Sequence, residues 1–436
     1  MAGDIAATIP LVARKRSGAL GWRAPMSIET STSWSRAAVA LAVLSVSFGA
    51  PYVSVVALDT IASDLGGGRS VPALAGSLAW FGSAVGGVLM GRVAERIGVR
   101  WTVIFGGAMI AAGLVVSSGG QQWQLYLGHG VLIGLLGNAG LNAPLYVYIS
   151  RWFDRRRGTA LALISSGPHV AGALWPPVIG VLVAGYGWQQ TMVIFAVVQI
   201  ALIVPLATLL SRPPHLAQGS TGPGTELRQI AATPLAVMVA LCVAGVLCCI
   251  PMAMPPAHLI AYCGDLGIGS SRGTLMLSIL LGCAFVSRQF WGWFSDWIGG
   301  LETVLICSVL QVAAFTGLAL TQDELGLFFV SAAFGLGFSG IIPAYVLAVR
   351  QLFPGSEAGW RIPTVLMCTG SGMAIGGWGA GALYDHFGYY APAFAVGIAL
   401  NACNVAIIAT LVILQHRGRR RAQSRAPARL SGLSSA

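Results

Sequence analysis

The sequence predicts an all-α integral membrane protein with twelve transmembrane helices in two six-helix bundles and both termini cytoplasmic. Three observations predict it. Of 436 residues, 56% are hydrophobic and 9% are charged. A soluble domain carries about a quarter charged residues, so this chain cannot cover a water-facing surface. Apolar runs near or above the roughly 18 residues needed to cross a bilayer recur along the whole length. Finally, 23 of the 25 basic residues fall on one side of the topology those runs imply.

Candidate spans cover about 36–58, 72–92, 101–118, 124–150, 158–184, 189–210, 235–260, 273–295, 301–320, 325–349, 362–384 and 391–414. They are too long and too continuously apolar for the alternating strands of a barrel. In lipid, a helix satisfies its own backbone polar groups. With the N-terminus inside, only Arg69 and Arg272 lie on the outer side. The net charge of +11 is therefore a positive-inside topology signal and not a nucleic-acid footprint.

Residues 1–35 lack the compact apolar core of a signal peptide and read as a cytoplasmic tail. The stretch "SRPPHLAQGSTGPGTELRQIAATP", residues 211–234, is rich in Pro, Gly, Ser and Thr and reads as a cytoplasmic linker. It divides an N-terminal bundle, 36–210, from a C-terminal bundle, 235–414, and a basic tail follows at 415–436. All eight cysteines lie in the second half without CxxC or Cys/His ligand spacing, so neither a disulfide framework nor a metal site is expected. An Arg:Lys ratio of 24 to 1 with abundant Ala and Gly suggests a bacterial inner membrane.

An internal repeat supports the division. "GRVAERIGVR" from Gly91 and "GWFSDWIGGL" from Gly292 both read G-x-x-x-acid-x-x-G, 201 residues apart. Gly187 and Gly388, in "YGWQQTMVIF" and "FGYYAPAF", keep the same spacing. A half-chain repeat means two similarly built bundles. Gly82, Gly86, Gly87 and Gly91 in the second span, and Gly372, Gly376, Gly377 and Gly381 in the eleventh, form small-residue ladders. Such ladders admit close helix approach, for tight packing or at a moving interface.

The first repeat motif resembles the loop signature of the major facilitator superfamily, G-x-[LV]-A-D-R-x-G-R-[RK]. Gly91, Ala94, Arg96, Gly98 and Arg100 match; Glu95 replaces Asp and Val99 replaces the first closing basic residue. The second copy keeps Gly292, Asp296 and Gly299. The resemblance implies the twelve-helix fold and gate roles for Gly91, Glu95, Arg96, Gly98, Arg100, Gly292 and Asp296 on the cytoplasmic side. The same charges could also simply mark helix ends. "SRWFDRRRGTALALISSG", "FGAPYVSVVALDTIASDLG" and "GGWGAGALYDHFGYYAPAF" are similar to the monocarboxylate porters and oxalate:formate antiporters. In those families an arginine on helix eight pairs with the substrate carboxylate, and Arg288 occupies that position. Ala284 stands where monocarboxylate porters often carry an acid, and Tyr52 where many carry a lysine. The eleventh span lacks the interior cation of the oxalate-type proteins. The resemblance therefore favours a singly charged acid over a dicarboxylate.

Arg288 lies 8 residues before Asp296. That is about 12 Å into the membrane, deep enough to bind an anion and shallow enough to snorkel. Ala284, Gly292 and Ser295 share its face, so small residues surround it. Guanidinium suits bidentate carboxylate binding. Asn138, Asn142 and Tyr146 follow at i, i+4 and i+8, either bonding a neighbouring helix or lining a cavity. His169 is either a packed imidazole or a proton carrier. Tyr52, Tyr345 and Trp378 are further candidates for a cavity wall. His258 and His386 lie near outer helix ends and are expected to face solvent.

The expected function is secondary active transport of a small organic anion, most simply a monocarboxylate, by alternating access. The expected partners are that anion and membrane lipid, without nucleic acid or nucleotide, in a monomer. No cofactor is expected; a proton or an exchanged anion would be the coupling species. No P-loop can be written with Lys15 as the only lysine. Gly337-Phe338-Ser339-Gly340 reads G-x-S-G, but twelve spans and a half-chain repeat do not suit a membrane protease. The alternatives are multidrug or other small-molecule efflux on the same fold, which would tolerate loss of Arg288, and a non-transporting sensor.

Overall fold

The computed structural model describes residues 29–153, 156–210, 230–354 and 357–431. All regular structure among them is helical. The expected tail 1–35, linker 211–234 and tail 415–436 fall wholly or partly outside the described residues.

Helix α1 (Ser31–Ser47) starts at a Thr30 cap with Ser33 returning the bond. It continues through α2 (Ala50–Val56) and α3 (Leu58–Asp64) as one bent rod. The bend falls at Gly49-Ala50-Pro51, where Pro51 cannot donate to the preceding turn. Helix α4 (Ser70–Ile97) turns into α5 (Val99–Ser117) at Gly98. Helix α6 (Gln122–Tyr126) runs into a π-helical segment, Leu127–Asn138, and then α7 (Ala139–Ser150). The wider π turn packs backbone against backbone: a Cβ on Gly134 would lie 2.6 Å from the Ala79 carbonyl, and one on Gly113 2.7 Å from that of Gly128.

Helix α8 (Arg157–Ser165) breaks before α9 (Gly167–Thr208), which folds back on itself at Gly187 and so holds two spans. The second half follows with α10 (Pro234–Asp265), α11 (Ser270–Ile298), α12 (Gly300–Leu320), α13 (Glu324–Phe338), α14 (Ile341–Leu352), α15 (Ala358–Phe387) and α16 (Ala391–Ser431). Helix α16 runs 17 residues past the expected end of the last span at 414. Nine segments among the described residues are long and apolar enough to cross a membrane. One of them is the doubled segment through Gly187, and α4 and α15 are two further long helices.

Two hydrophobic cores form. One is drawn from residues 37–210 and the other from 237–412, with Tyr52 and Val56 packed against both. The repeat is visible in the turns. Gly66 and Gly267, Gly98 and Gly299, and Gly187 and Gly388 all have positive φ, and each pair is 201 residues apart. L residues rarely adopt that backbone, so glycine is required at both copies.

The glycine ladder of α15 serves both purposes raised by its sequence. Cβ atoms on Gly372 and Gly376 would strike α10 in the same bundle. Those on Gly377 and Gly381 would meet Ser77 and the Arg69–Ser70 backbone of the other bundle at 2.9–3.0 Å. The second pair therefore lets α15 and α4 approach across the bundle interface.

A candidate anion site between the bundles

Arg288 lies on α11 and is 7% exposed. It does not snorkel. Its Nε donates to the Ser339 carbonyl (3.3 Å) in its own bundle, and its Nη1 to the Ser165 carbonyl in the other. Nη1 also lies 3.4 Å from the Ser165 hydroxyl. Proline and helix-break chemistry releases both carbonyls. In an unbroken helix the Ser339 carbonyl would accept from residue 343, but Pro343 has no N–H. The Ser165 carbonyl would accept from His169, but the break at Gly167-Pro168 diverts that N–H to Ser166 (3.0 Å). Each bundle thus presents one freed carbonyl to the same guanidinium.

Other side chains gather there. The Tyr146 hydroxyl on α7 is within hydrogen-bonding reach of Ser165 and within electrostatic reach of Arg288. His169 on α9 is buried and within electrostatic reach of Arg288; its ring lies 6.0 Å from that of Phe338, and among the described residues its Nδ1 has no hydrogen-bond partner. Gln289 donates to the Ser166 hydroxyl (3.1 Å), a second bond between the bundles. Tyr52 on α2 reaches Gly172 beside Leu281, where any Cβ on residue 172 would collide with its hydroxyl. Among the described residues, no carboxylate pairs with Arg288.

The structure separates the remaining candidates. Asn138 ends the π segment and is buried beside Phe48, Pro51, Ala79 and Trp80; among the described residues its Oδ1 has no hydrogen-bond partner. Asn142 and Tyr146 follow on α7, both half-buried. Tyr345 is corrected: it is fully buried in the second core, where it donates to Asn404 (3.3 Å), and it does not line the site. Trp378 is exposed on α15. His258, expected in solvent, is 1% exposed; its ring nitrogens bond Tyr390 (2.9 Å) and the Gly377 carbonyl (2.7 Å). Sequence reasoning missed Ser165, Ser166, Gln289 and Ser339. The available signal was a proline two to four residues past each serine.

The expected gate residues lie at helix ends on the arginine-rich face. Gly98 and Gly299 make the turns that end α4 and α11, with Gly91 and Gly292 one to two turns earlier. The Glu95 side chain lies outside the described residues. Arg96, Arg100 and Asp296 are exposed and enter no ion pair among the described residues. Among the described residues, the ion pair between the bundles is on the opposite face. There Arg69 joins Asp59 (2.7 Å) and Asp265 (2.6 Å). Burial alone would lower the basicity of Arg69. The hydrogen bond and charge of Asp265, with Asp59 and the Tyr390 ring, outweigh it, so the guanidinium is held charged.

A family profile described as "Major Facilitator Superfamily" matches residues 38–323 and 241–435. "MFS transporter asaE" of Aspergillus flavus is 24% identical over 63% of this chain; the chain spans 62% of that relative's length. "Monocarboxylate transporter 13" of Bos taurus is 25% identical over 76% of this chain and 77% of its own. Two solved structures share the fold. The peptide transporter POT in complex with sulfate has a TM-score of 0.68 at 14% identity, covering 88% of this chain and 95% of its own. A bacterial homolog of the human lysosomal transporter Spinster, inward-facing and unoccupied, has 0.63 at 15%, covering 89% and 96%. With a helical multi-pass membrane fold, a half-chain repeat and a profile match along nearly its whole length, this chain belongs to the Major Facilitator Superfamily of transporters and not to an enzyme family.

Proposed function

We propose that this chain is a secondary carrier of small monocarboxylates whose carboxylate pairs with Arg288. One observation carries the proposal: a guanidinium buried between the bundles that meets only neutral oxygens among the described residues. An arginine at mid-membrane depth costs about 2.5–3.5 kcal/mol on insertion scales, so such a charge without a counter-ion calls for an anion. Nη2 is not engaged by the identified bonds. A carboxylate can take Nη2 and displace a carbonyl from Nη1 or Nε, giving the bidentate geometry guanidinium favours. A single buried cation suits a single carboxylate. The distant relationship to a protein named as a monocarboxylate transporter points the same way.

Ser165 and Ser339 belong to different bundles, so a ligand that replaces them changes the contact between the bundles. That supplies the differential affinity alternating access requires. Tyr146 is placed to donate to the carboxylate, and Tyr52 borders the same interface. His169, whose Nδ1 has no partner among the described residues, is the proton carrier if coupling is to protons; in anion exchange it needs no titration. The proposal includes twelve spans, cytoplasmic termini, a monomer and residence in a bacterial inner membrane, following the arginine distribution and composition.

Initial uptake rates in proteoliposomes test it, across straight-chain monocarboxylates and with Arg288→Lys and Arg288→Ala. The expected result is saturable uptake by the parent, reduced uptake by the lysine variant and none by the alanine variant. Full uptake of every accepted acid by Arg288→Ala would remove Arg288 from the site and favour apolar efflux on this fold.

A further inference from the structure

On the arginine-poor face, each half turns from its first span into its second at a corner built on one plan and filled differently. Asp64 and Asp265 end α3 and α10. Gln122 and Glu324 begin α6 and α13, directly after the capping residues Gln121 and Asp323. In the second half a cation of the chain occupies the corner: Arg272 pairs with Glu324 (3.4 Å). The residue 201 positions before Arg272 is Val71, and the residue placed like Glu324 is the neutral Gln122. These two still come together: a Cβ on Gly67 would lie 2.6 Å from Val71 and 3.4 Å from Gln122. The first half has the same corner without its cation.

An open cleft of about 620 Å³ lies there. Asp64, Gln122, Trp123 and Tyr126 line it, and no basic residue does. Asp64 is exposed and gives one oxygen to the Trp188 indole N–H (2.7 Å); the other, Oδ1, has no partner among the described residues. Gln122 donates its Nε2 to the Leu65 carbonyl (3.3 Å), which leaves its own carbonyl oxygen to accept. The Tyr126 hydroxyl enters no hydrogen bond among the described residues. Trp123 is 62% exposed, and Trp123 and Tyr126, three apart on one helix, share a face. An indole at the membrane boundary by itself needs no ligand. Here it stands in a concave site with a carboxylate oxygen, an amide oxygen and a phenol that are free to accept. Three acceptors, a negative charge and an aromatic face match a primary ammonium, which brings three N–H donors and one positive charge. A quaternary ammonium has no N–H to give them.

We propose that this cleft binds a primary alkylammonium, its nitrogen donating to Asp64, Gln122 and Tyr126 and its first methylenes lying against Trp123. The ligand supplies to the first corner the charge that Arg272 supplies to the second. Two sources offer the same chemistry: a free amine on the arginine-poor side, and the ethanolamine headgroup of a bilayer lipid, which comes within reach because the cleft lies at the ends of membrane-spanning helices. The site belongs to the first bundle alone and shares no residue with the Arg288 site, so it does not rest on the carboxylate reading.

Hydrogen exchange of the full chain in lipid nanodiscs tests the site through peptides spanning 60–68 and 119–127, and calorimetric titration with ethanolamine reads the affinity. In phosphatidylcholine discs, which carry no primary ammonium, ethanolamine binds saturably and slows exchange in both peptides, and choline does so far less. Phosphatidylethanolamine discs give the same protection without added amine if the headgroup is the source, and do not if a free amine is; either result supports the site and names its source. Trp123→Ala, at an exposed position, weakens ethanolamine binding about two- to fivefold, the worth of one exposed cation–π contact. Val71→Arg combined with Gln122→Glu installs the pair of the second half and weakens binding by about tenfold or more. If that double variant does not fold, Tyr126→Phe, which keeps the ring and removes one acceptor, weakens binding a few-fold. No protection by ethanolamine or by phosphatidylethanolamine, equal protection by choline, or parental affinity in the Trp123 and corner variants overturns the proposal. Arg288→Ala binds ethanolamine as the parent does, so failure here leaves the anion site standing, and failure of Arg288 in uptake leaves this site standing.

Discussion

Asp64 and Asp265 occupy the same place in the two halves, 201 residues apart, each ending a helix two residues before a positive-φ glycine. Asp64 accepts the Trp188 indole N–H (2.7 Å) and ties the corner of its own bundle. The residue 201 positions after Trp188 is Tyr389, which is 57% exposed. Asp265 is therefore not claimed by its own bundle's corner and reaches across to Arg69. Arg288 shows the same logic: its counterpart one repeat earlier is Gly87. The halves share turns and helix lengths, and they differ where a side chain meets the other half. The repeat sets where side chains can reach, and the departures from it carry the interactions between bundles.

The largest effect is expected from erasing the departure at Arg288. Arg288→Gly makes the second half resemble the first and should lower monocarboxylate uptake by about 100-fold or more, since removing one partner of a buried charge pair costs about 2–5 kcal/mol. Next comes the contrast between the two aspartates. Asp64→Asn weakens a hydrogen bond to a charged group, worth about 1.5–3 kcal/mol, and should lower the melting temperature by several degrees without favouring either face. Asp265→Asn also weakens charged hydrogen bonds and should melt lower too, but its loss falls on the contact between the bundles, read as faster hydrogen exchange at the arginine-poor face. Equal behaviour of the two variants would break the comparison.

Smaller effects sharpen it. Pro343→Ala restores an N–H that competes with Arg288 for the Ser339 carbonyl, and should change KM a few-fold with little loss of stability. Tyr345→Phe removes a core hydrogen bond worth about 1 kcal/mol and should leave KM unchanged. Gly66→Ala and Gly267→Ala meet no neighbouring atom, so each should cost only the backbone strain, about 1–2 kcal/mol, and by matching amounts. Arg272→Ala should stay within about 0.5 kcal/mol of the parent in thermal melts, as exposed ion pairs contribute little.

Much of the architecture was legible because it follows from solvent and period. Apolar run length located the helices, charge asymmetry marked the faces, and the 201-residue spacing marked the repeat. Arg288 stood out because charge is scarce in lipid. Its partners did not, because carbonyls freed near Pro168 and Pro343 meet only through tertiary packing. Tyr345 was misread since composition does not separate an aromatic ring in a core from one at a cavity. His258 was misread for a similar reason: position near a helix end says nothing of burial under Tyr390. Arg69 was visible only as an exception to the charge rule, and the signature motif drew attention to the other face.

Equilibrium binding of the best-transported monocarboxylate to purified protein tests the central claim most directly, with its uncharged amide as competitor and Arg288→Ala as the comparison. The account predicts saturable binding to the parent, at least about tenfold weaker binding to the variant, and no competition by the amide, since the guanidinium recognises the charge-assisted bidentate pair. Equal affinity in the two proteins, or displacement by the amide as readily as by the acid, would contradict it.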